Sequence, residues 1–374
     1  MKIAYIATSA IPSSTANSIQ VMKVCQAFCQ NGHTVTLFVP GSGVVDWKEL
    51  KTRYGLTVEF NIARIPSINH FKRFDFIFRA LQDCLAQKVD LVYTRMLWVA
   101  YFAQKLRLPV ILELHDLPGG RFGKSLLKRF IQSRSRKKIV SITHALVARI
   151  ESRFNMTLPH QDLIIAPDGV DLERYQSLPE ITSARKKLGL PEKLTAVYTG
   201  GFYRGRGLEL LLNLAIHFPQ VHFIWVGGKP EAVADWSDQI KVAGINNIQL
   251  TGFIDNQILP LYQTATDILL MPFGKTVAGS SGGNTADVCS PMKMFEYMAA
   301  GRAILTSDLP VLREVLNDQN AIFYEPENFS DLKRKFSELI ENPALRERIA
   351  AQARLDVEKY SWQRRMRLIL ESFA

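Results

Sequence analysis

The 374-residue sequence contains no Asp-x-Asp pair. Spaced carboxylates of that kind commonly carry a divalent cation against a phosphate. Without them, positive charge has to come from Lys, Arg or a helix terminus, and no metal or other cofactor is expected. Glycine is missing from Thr8 to Asn31, the stretch that follows the first strand. A Gly-x-Gly-x-x-Gly dinucleotide fingerprint cannot be placed there, and GFYRGRG at 201–207 has the wrong spacing, so a NAD-type oxidoreductase is excluded. Only four cysteines occur; Cys25 and Cys29 lie one helical turn apart with no second pair, which argues against zinc and for reduced thiols in a cytoplasmic protein. No run approaches the ~18 uncharged apolar residues of a membrane span. The opening MKIAYIATSA is short and alternates, so it reads as a strand rather than a leader.

Acid is also scarce in one region. Between Asp116 and Glu151 there are nine Lys and Arg and no Asp or Glu. Residues 1–165 hold 23 basic and 10 acidic residues, whereas 166–374 hold 23 and 25, so the net +11 belongs to the first half. An ordinary solvated face mixes signs. The segment RFGKSLLKRFIQSRSRKKI at 121–139 predicts a helix carrying seven cations from Lys124 to Lys138, with Leu126, Leu127, Phe130 and Ile131 on its other side. HFKRFDFIFRAL at 70–81 interleaves Phe with Lys and Arg. An anionic membrane surface fits this pattern as partner, which makes the expected location peripheral at the inner face of the membrane; no nucleic-acid partner is expected.

Strands and helices alternate in both halves. KIAYIAT (2–8), TVTLFVP (34–40), DLVYTR (90–95), PVILELH (109–115) and KIVSIT (138–143) read as strands of the first half. TAVYTGG (195–201), VHFIWVGG (221–228), NIQLTGF (247–253), DILLMPF (267–273) and AILTS (303–307) read as those of the second. The fold class is α/β: two tandem, Rossmann-like, doubly wound domains facing across a cleft. The proline-bearing stretch 164–180 marks the junction, giving domains at 1–165 and 166–354. The last helix, about 342–374, is expected to send its final part (about 355–374) back to the first domain.

Two motifs carry chemistry. In SPMKMFEYMAAG (290–301), Ser290 suits an N-cap, Pro291 a first helical position and Gly301 the stop. Lys293 and Glu296, three apart, share a face behind a Gly- and Ser-rich loop, AGSSGGNTADVC (278–289), whose amides would meet an anion at the helix N-terminus. A carboxylate that far into the helix suits ribose hydroxyls rather than phosphate. In TGGFYRGRGLELLL (199–212), Arg204 and Arg206 offer forked donors to a pyrophosphate, and Gly205 and Gly207 would let backbone approach it.

Together with PDGVDLERY (167–175), the SDLPVLREVL run (307–316), YSW (360–362), ANSIQVMKVCQAF (16–28), GHTVTLFVP (32–40), DLVYTR (90–95), ELHD (113–116) and ITHAL (142–146), these motifs resemble the family 4 glycosyltransferases of the GT-B fold. The resemblance implies a retaining, metal-independent glycosyltransferase. It would move a hexose-type sugar from a nucleotide-sugar donor (UDP, GDP or similar) to a glycan or lipid-linked acceptor of envelope or exopolysaccharide type. Arg206 would hold the donor diphosphate with Arg204 and Lys293. Glu296 would bind the ribose, and backbone around Ser290–Met292 the phosphate and sugar. His115 would be the catalytic histidine facing the donor sugar. Asn17, Ser18 and Arg95 would serve the acceptor or phosphate, Asn17 or Ser18 also capping the first helix. Three positions depart from the family. Its first glutamate is Val288 here, with Asp287 one residue off; the arginine after the strand glycine is Gly201; SSTANSI (13–19) replaces a glycine pair. An epimerase or a binding-only protein of the same fold is the alternative; the first would turn over donor without acceptor, the second would bind without turnover.

Overall fold

The computed structural model describes residues 1–67, 73–277 and 284–373. The Gly- and Ser-rich part of the 278–289 loop and residues 70–72 of the Phe-rich segment lie outside the described residues. The chain forms two compact units, Met1–Asp168 with Trp362–Ala374, and Gly169–Ser361. It leaves the first unit after Asp168 and returns to it after Ser361.

The first unit holds a parallel sheet of β1 (Lys2–Ile6), β2 (Thr34–Pro40), β3 (Asn61–Ile65), β4 (Leu91–Thr94), β5 (Val110–Leu114), β6 (Lys137–Ser141) and β7 (Leu163–Ile165), in the order β3-β2-β1-β4-β5-β6-β7. The central strands are apolar on both faces because helices cover both; β4 and β5 are buried throughout. Glu113 is the one charged residue of β5, VILEL, and it is wholly buried. The last helix, Trp362–Phe373, packs on the first helix, Ala16–Gln30. Asn31 Nδ2 donates to Gln363 O at 2.8 Å, Gln363 Nε2 to Gln30 O at 3.2 Å, and the Arg136 guanidinium to Phe373 O at 2.8 Å. The helix before it, Pro343–Asp356, belongs to the second unit, so the 342–374 stretch is two helices rather than one.

The second unit repeats the plan with β8 (Thr195–Thr199), β9 (His222–Val226), β10 (Ile248–Gly252), β11 (Ile268–Met271), β12 (Ala303–Ser307) and β13 (Ile322–Tyr324), ordered β10-β9-β8-β11-β12-β13. Its core gathers Tyr198, Leu211, Phe223, Trp225, Leu270 and Phe336. In both sheets the strand order reverses beside the first strand of the unit, between β1 and β4 and between β8 and β11. Ligands of doubly wound sheets bind outside the carboxyl ends of the strands at that reversal. Arg95 follows β4, His115 follows β5, Gly200 follows β8 and Phe273 follows β11.

The basic segment departs from its expected form. The helix runs only from Gly123 to Gln132 and carries Lys124, Lys128 and Arg129, all exposed, over buried Leu126, Leu127 and Phe130. Lys137 and Lys138 are on β6 instead, where Lys137 pairs with Asp162 at 3.1 Å and Lys138 donates to Gln161 O at 2.6 Å. Beside the helix lies an aromatic cluster. Trp98 meets Phe74, Phe102 and Phe122 with ring centroids 5.1, 5.8 and 6.0 Å away, and Phe78 meets Phe102 at 5.0 Å. Phe78 and Phe122 are 48% and 55% exposed, unusual for Phe. Among the described residues, no helix is long and apolar enough to cross a membrane.

Candidate active site

In the second unit, β8 ends at Thr199 and Gly200 turns the chain with φ +137. A Cβ at Gly200 would lie 2.9 Å from Lys293 Nζ, so the missing side chain is what lets the ammonium come up to the strand end. That Nζ is buried, with no hydrogen-bond partner among the described residues. Its neighbours are aromatic faces, Tyr198 at 4.0 Å and Phe273 at 5.3 Å. Arg206 shares the Phe273 ring, its Cζ 4.9 Å from the centroid, and its buried Nε is likewise unpartnered among the described residues. Burial, then the nearby Arg206, push the Lys293 ammonium well below its ordinary range, while Glu296 pulls the other way. A buried ammonium beside a second cation is costly unless an anion joins them.

Glu296 is oriented from behind. Tyr175 OH donates to Gln263 Oε1 at 2.7 Å, and Gln263 Nε2 donates to Glu296 Oε2 at 3.1 Å. Glu296 Oε1 has no partner among the described residues. That arrangement leaves a fixed acceptor for hydroxyls. Arg204 is exposed. The departures from the family pattern also resolve: Val288 is buried and Asp287 exposed.

Several expected details do not hold. The helix starts at Met292 with Pro291 at the cap position and no side-chain cap bond, so Ser290 is a buried residue before the cap rather than the cap. Proline's fixed φ fits an extended residue just before a helix as well as the first turn. Gly205 and Gly207 do not open the loop to a ligand. A Cβ at Gly205 would sit 1.8 Å from Thr276 O, and one at Gly207 1.9 Å from Pro272 O. Both glycines, at φ +80 and +74, let the loop press on the 272–276 backbone, where Gly274 N–H donates to Gly205 O at 2.9 Å. In the first unit the first helix begins at Ala16, and Thr15 caps it by accepting from Ser18 N–H. Ser18 is wholly buried, donating to Ser13 O and Thr15 O at 3.0 and 2.8 Å. Asn17 is exposed and accepts from Ser9 Oγ. Neither residue is the cap, because Thr15 reaches the free amide first.

The first unit has its own charged centre. Glu113 accepts from Gln20 Nε2 at 2.8 Å, from Arg365 Nη2 at 3.1 Å, and from Tyr93 OH; its Oε1 also meets His115 Nε2. Arg365 comes from the last helix and also donates to Ala166 O at 2.9 Å and Pro167 O at 2.7 Å. Arg95 Nη1 donates to Gln20 Oε1 at 3.4 Å, so it supports this network. Burial alone would raise the Glu113 carboxyl, but Arg365 and His115 win and hold it at about 2. Burial and Arg95 push His115 down to about 4 against the pull of Glu113. Burial lifts Asp168 to about 7 although Arg365 opposes it. Among the described residues, Glu113, His115 and Asp168 bring ligand-type atoms within 4.8 Å of one another. Glu113 is already saturated by donors, and Arg365 and Arg95 would repel a dication, so the set does not suit a metal. Gln20, Tyr93 and Arg365 were not legible as site residues; a lone acid inside the apolar VILEL strand was the available signal.

The chain matches a model of glycosyltransferase family 4 over residues 18–174 and a glycosyl transferase-like model over 206–371. Over all of its length it resembles HepE of Anabaena in complex with UDP, with 16% identity, 99% of that chain covered and a TM-score of 0.75. It also resembles a glycosyltransferase from Rickettsia africae, with 16% identity, 97% of that chain covered and a TM-score of 0.76. Such likeness defines the class by fold: a two-domain, Rossmann-like GT-B protein. The chain belongs to the family 4 glycosyltransferases. Among curated relatives, a phosphatidyl-myo-inositol mannosyltransferase of Mycobacterium tuberculosis is 25% identical over 58% of this chain and 55% of its own length. A 2-deoxystreptamine glucosyltransferase of Streptomyces kanamyceticus is 26% identical over 48% and 46%. The chain thus spans about half the length of the curated relatives it matches.

Proposed function

We propose that the chain is a retaining glycosyltransferase that moves a hexose-type sugar from a nucleotide-sugar donor to a glycan or lipid-linked acceptor without a metal. The observation that carries this reading is the pair Lys293 and Arg206: the Lys293 ammonium and Arg206 Nε are buried and have no hydrogen-bond partner among the described residues. A nucleoside diphosphate supplies that anion, and its ribose meets Glu296. As the anomeric C–O bond breaks, the diphosphate leaves with the bonding pair, and the two cations stabilise the charge it gains. The acceptor oxygen bonds to the same face of the sugar, and its proton passes to the departing diphosphate oxygen. His115 acts on the donor sugar. HepE was crystallised with UDP and with UDP-glucose, which favours a uridine nucleotide as the first donor to try.

The helix Gly123–Gln132 with its three exposed cations, beside exposed Phe78 and Phe122, supports work at an anionic lipid surface at the inner face of the membrane. A related M. tuberculosis protein bears a lipid substrate in its name. The test of the transfer reading is nucleotide release from UDP- and GDP-sugars in excess EDTA. Acceptor-dependent release that survives chelation is expected. Release abolished by EDTA and restored by Mg²⁺ or Mn²⁺ would end the metal-free reading.

A further inference from the structure

Glu113 is an expensive residue for its place. It stands inside a fully buried strand, and its two oxygens take hydrogen bonds from four residues in different parts of the first unit. Gln20 comes from the first helix, Tyr93 from β4, His115 from the residue after β5, and Arg365 from a helix 252 residues away. Gln20 is itself set by Arg95, which takes its carbonyl oxygen and leaves its amide N–H₂ for Glu113. A structural ion pair needs only Arg365. Gln20 joins Arg365 on Oε1, the oxygen that meets the imidazole, while Tyr93 holds Oε2, so both oxygens are fixed.

An ionised carboxylate can only accept, so the ring nitrogen it meets must carry the proton. We propose that Glu113 is the positioning residue of His115: it fixes the neutral imidazole with its proton on Nε2 and leaves the Nδ1 lone pair to accept a hydrogen bond from a hydroxyl of the donor sugar, while Arg365 of the last helix keeps Glu113 a carboxylate. His115 Nδ1 has no partner among the described residues, as that role requires. The low values of Glu113, about 2, and of His115, about 4, agree with a carboxylate beside a neutral ring at neutral pH. The last helix is therefore part of the site, although its sequence carries no catalytic motif. The inference rests on the reading of His115 as the histidine that acts on the sugar.

The experiment uses full-length protein labelled with ¹⁵N-histidine, with the His115 signals assigned by their loss in His115→Asn. A slowly exchanging, downfield proton coupled to Nε2 is expected in the wild type. Glu113→Gln should move it upfield. Since Glu113→Gln leaves Arg365 without a counter-charge, the double variant Glu113→Met with Arg365→Met removes both charges and guards against simple unfolding; in it the signal should be lost. In either variant kcat should fall at least about tenfold with the donor KM nearly unchanged. A wild-type proton on Nδ1, or an Nε2 proton signal unchanged in both variants, would overturn the positioning role. A lost signal with unchanged kcat would support the positioning and remove His115 from the transfer step.

Discussion

The two units handle buried charge in opposite ways. In the first, Glu113, Arg365, His115, Gln20 and Tyr93 form a closed set in which the buried charges meet. In the second, Lys293 and Arg206 sit on aromatic faces with polar atoms left over. Closed networks position groups; a buried ammonium beside a half-buried guanidinium, with no bonded anion among the described residues, waits for one. These two sheets, alike in strand order, contribute unlike things: one an oriented imidazole, the other an electrostatic socket.

The largest loss of stability is expected from Glu113→Ala. It strands Arg365 in the interior, and removal of one partner of a buried pair costs about 3–5 kcal/mol. Urea unfolding should show that loss, and a variant as stable as the wild type would mean the network is not closed.

The second unit should answer in the opposite sense. Lys293→Met removes a buried cation that has no anion, so the ligand-free protein should melt higher, while stabilisation by UDP disappears. Arg206→Ala should lower kcat by about 10²–10³. Because burial and Arg206 depress the Lys293 ammonium, and a bound diphosphate opposes them, binding takes up a proton. Affinity should therefore fall as pH rises, by no more than about tenfold per unit, and calorimetry in buffers of different ionisation enthalpy reads the proton directly. Proton release on binding would reverse the assignment.

The charge asymmetry gives a third test. Replacing Lys124, Lys128 and Arg129 by Ser should weaken binding to anionic vesicles by about 3 kcal/mol, at about 1 kcal/mol per cation, and leave UDP affinity unchanged. Equal sedimentation of wild type and variant with those vesicles would make the helix an ordinary solvated face. The smallest effect is expected from Glu296→Gln, which should weaken UDP by roughly 1.5–3 kcal/mol but leave inorganic pyrophosphate alone. Equal losses for both ligands would move Glu296 from the ribose to the phosphates.

What the sequence determined by itself was the local and periodic part. The buried central strands read as apolar runs, and the helix of 290–301 was legible from its apolar stripe and terminal Gly301, which takes the left-handed conformation expected of it. Strands β7 (LII) and β13 (IFY) escaped because three residues are too few to show a period, and β3 (NIARI) because an edge strand tolerates polar and charged side chains. Cap positions slipped by one to three residues, at Thr15 and Pro291, because several residues in each stretch could satisfy the first free amides. Tertiary structure alone decided that Gly205 and Gly207 serve backbone packing, and that Lys137 and Lys138 pair within their own unit. It alone brought Arg365 to Glu113. A charge partner 252 residues away leaves no periodic trace, since it is chosen by how helices cover a sheet and by the cost of leaving a buried carboxylate unpaired.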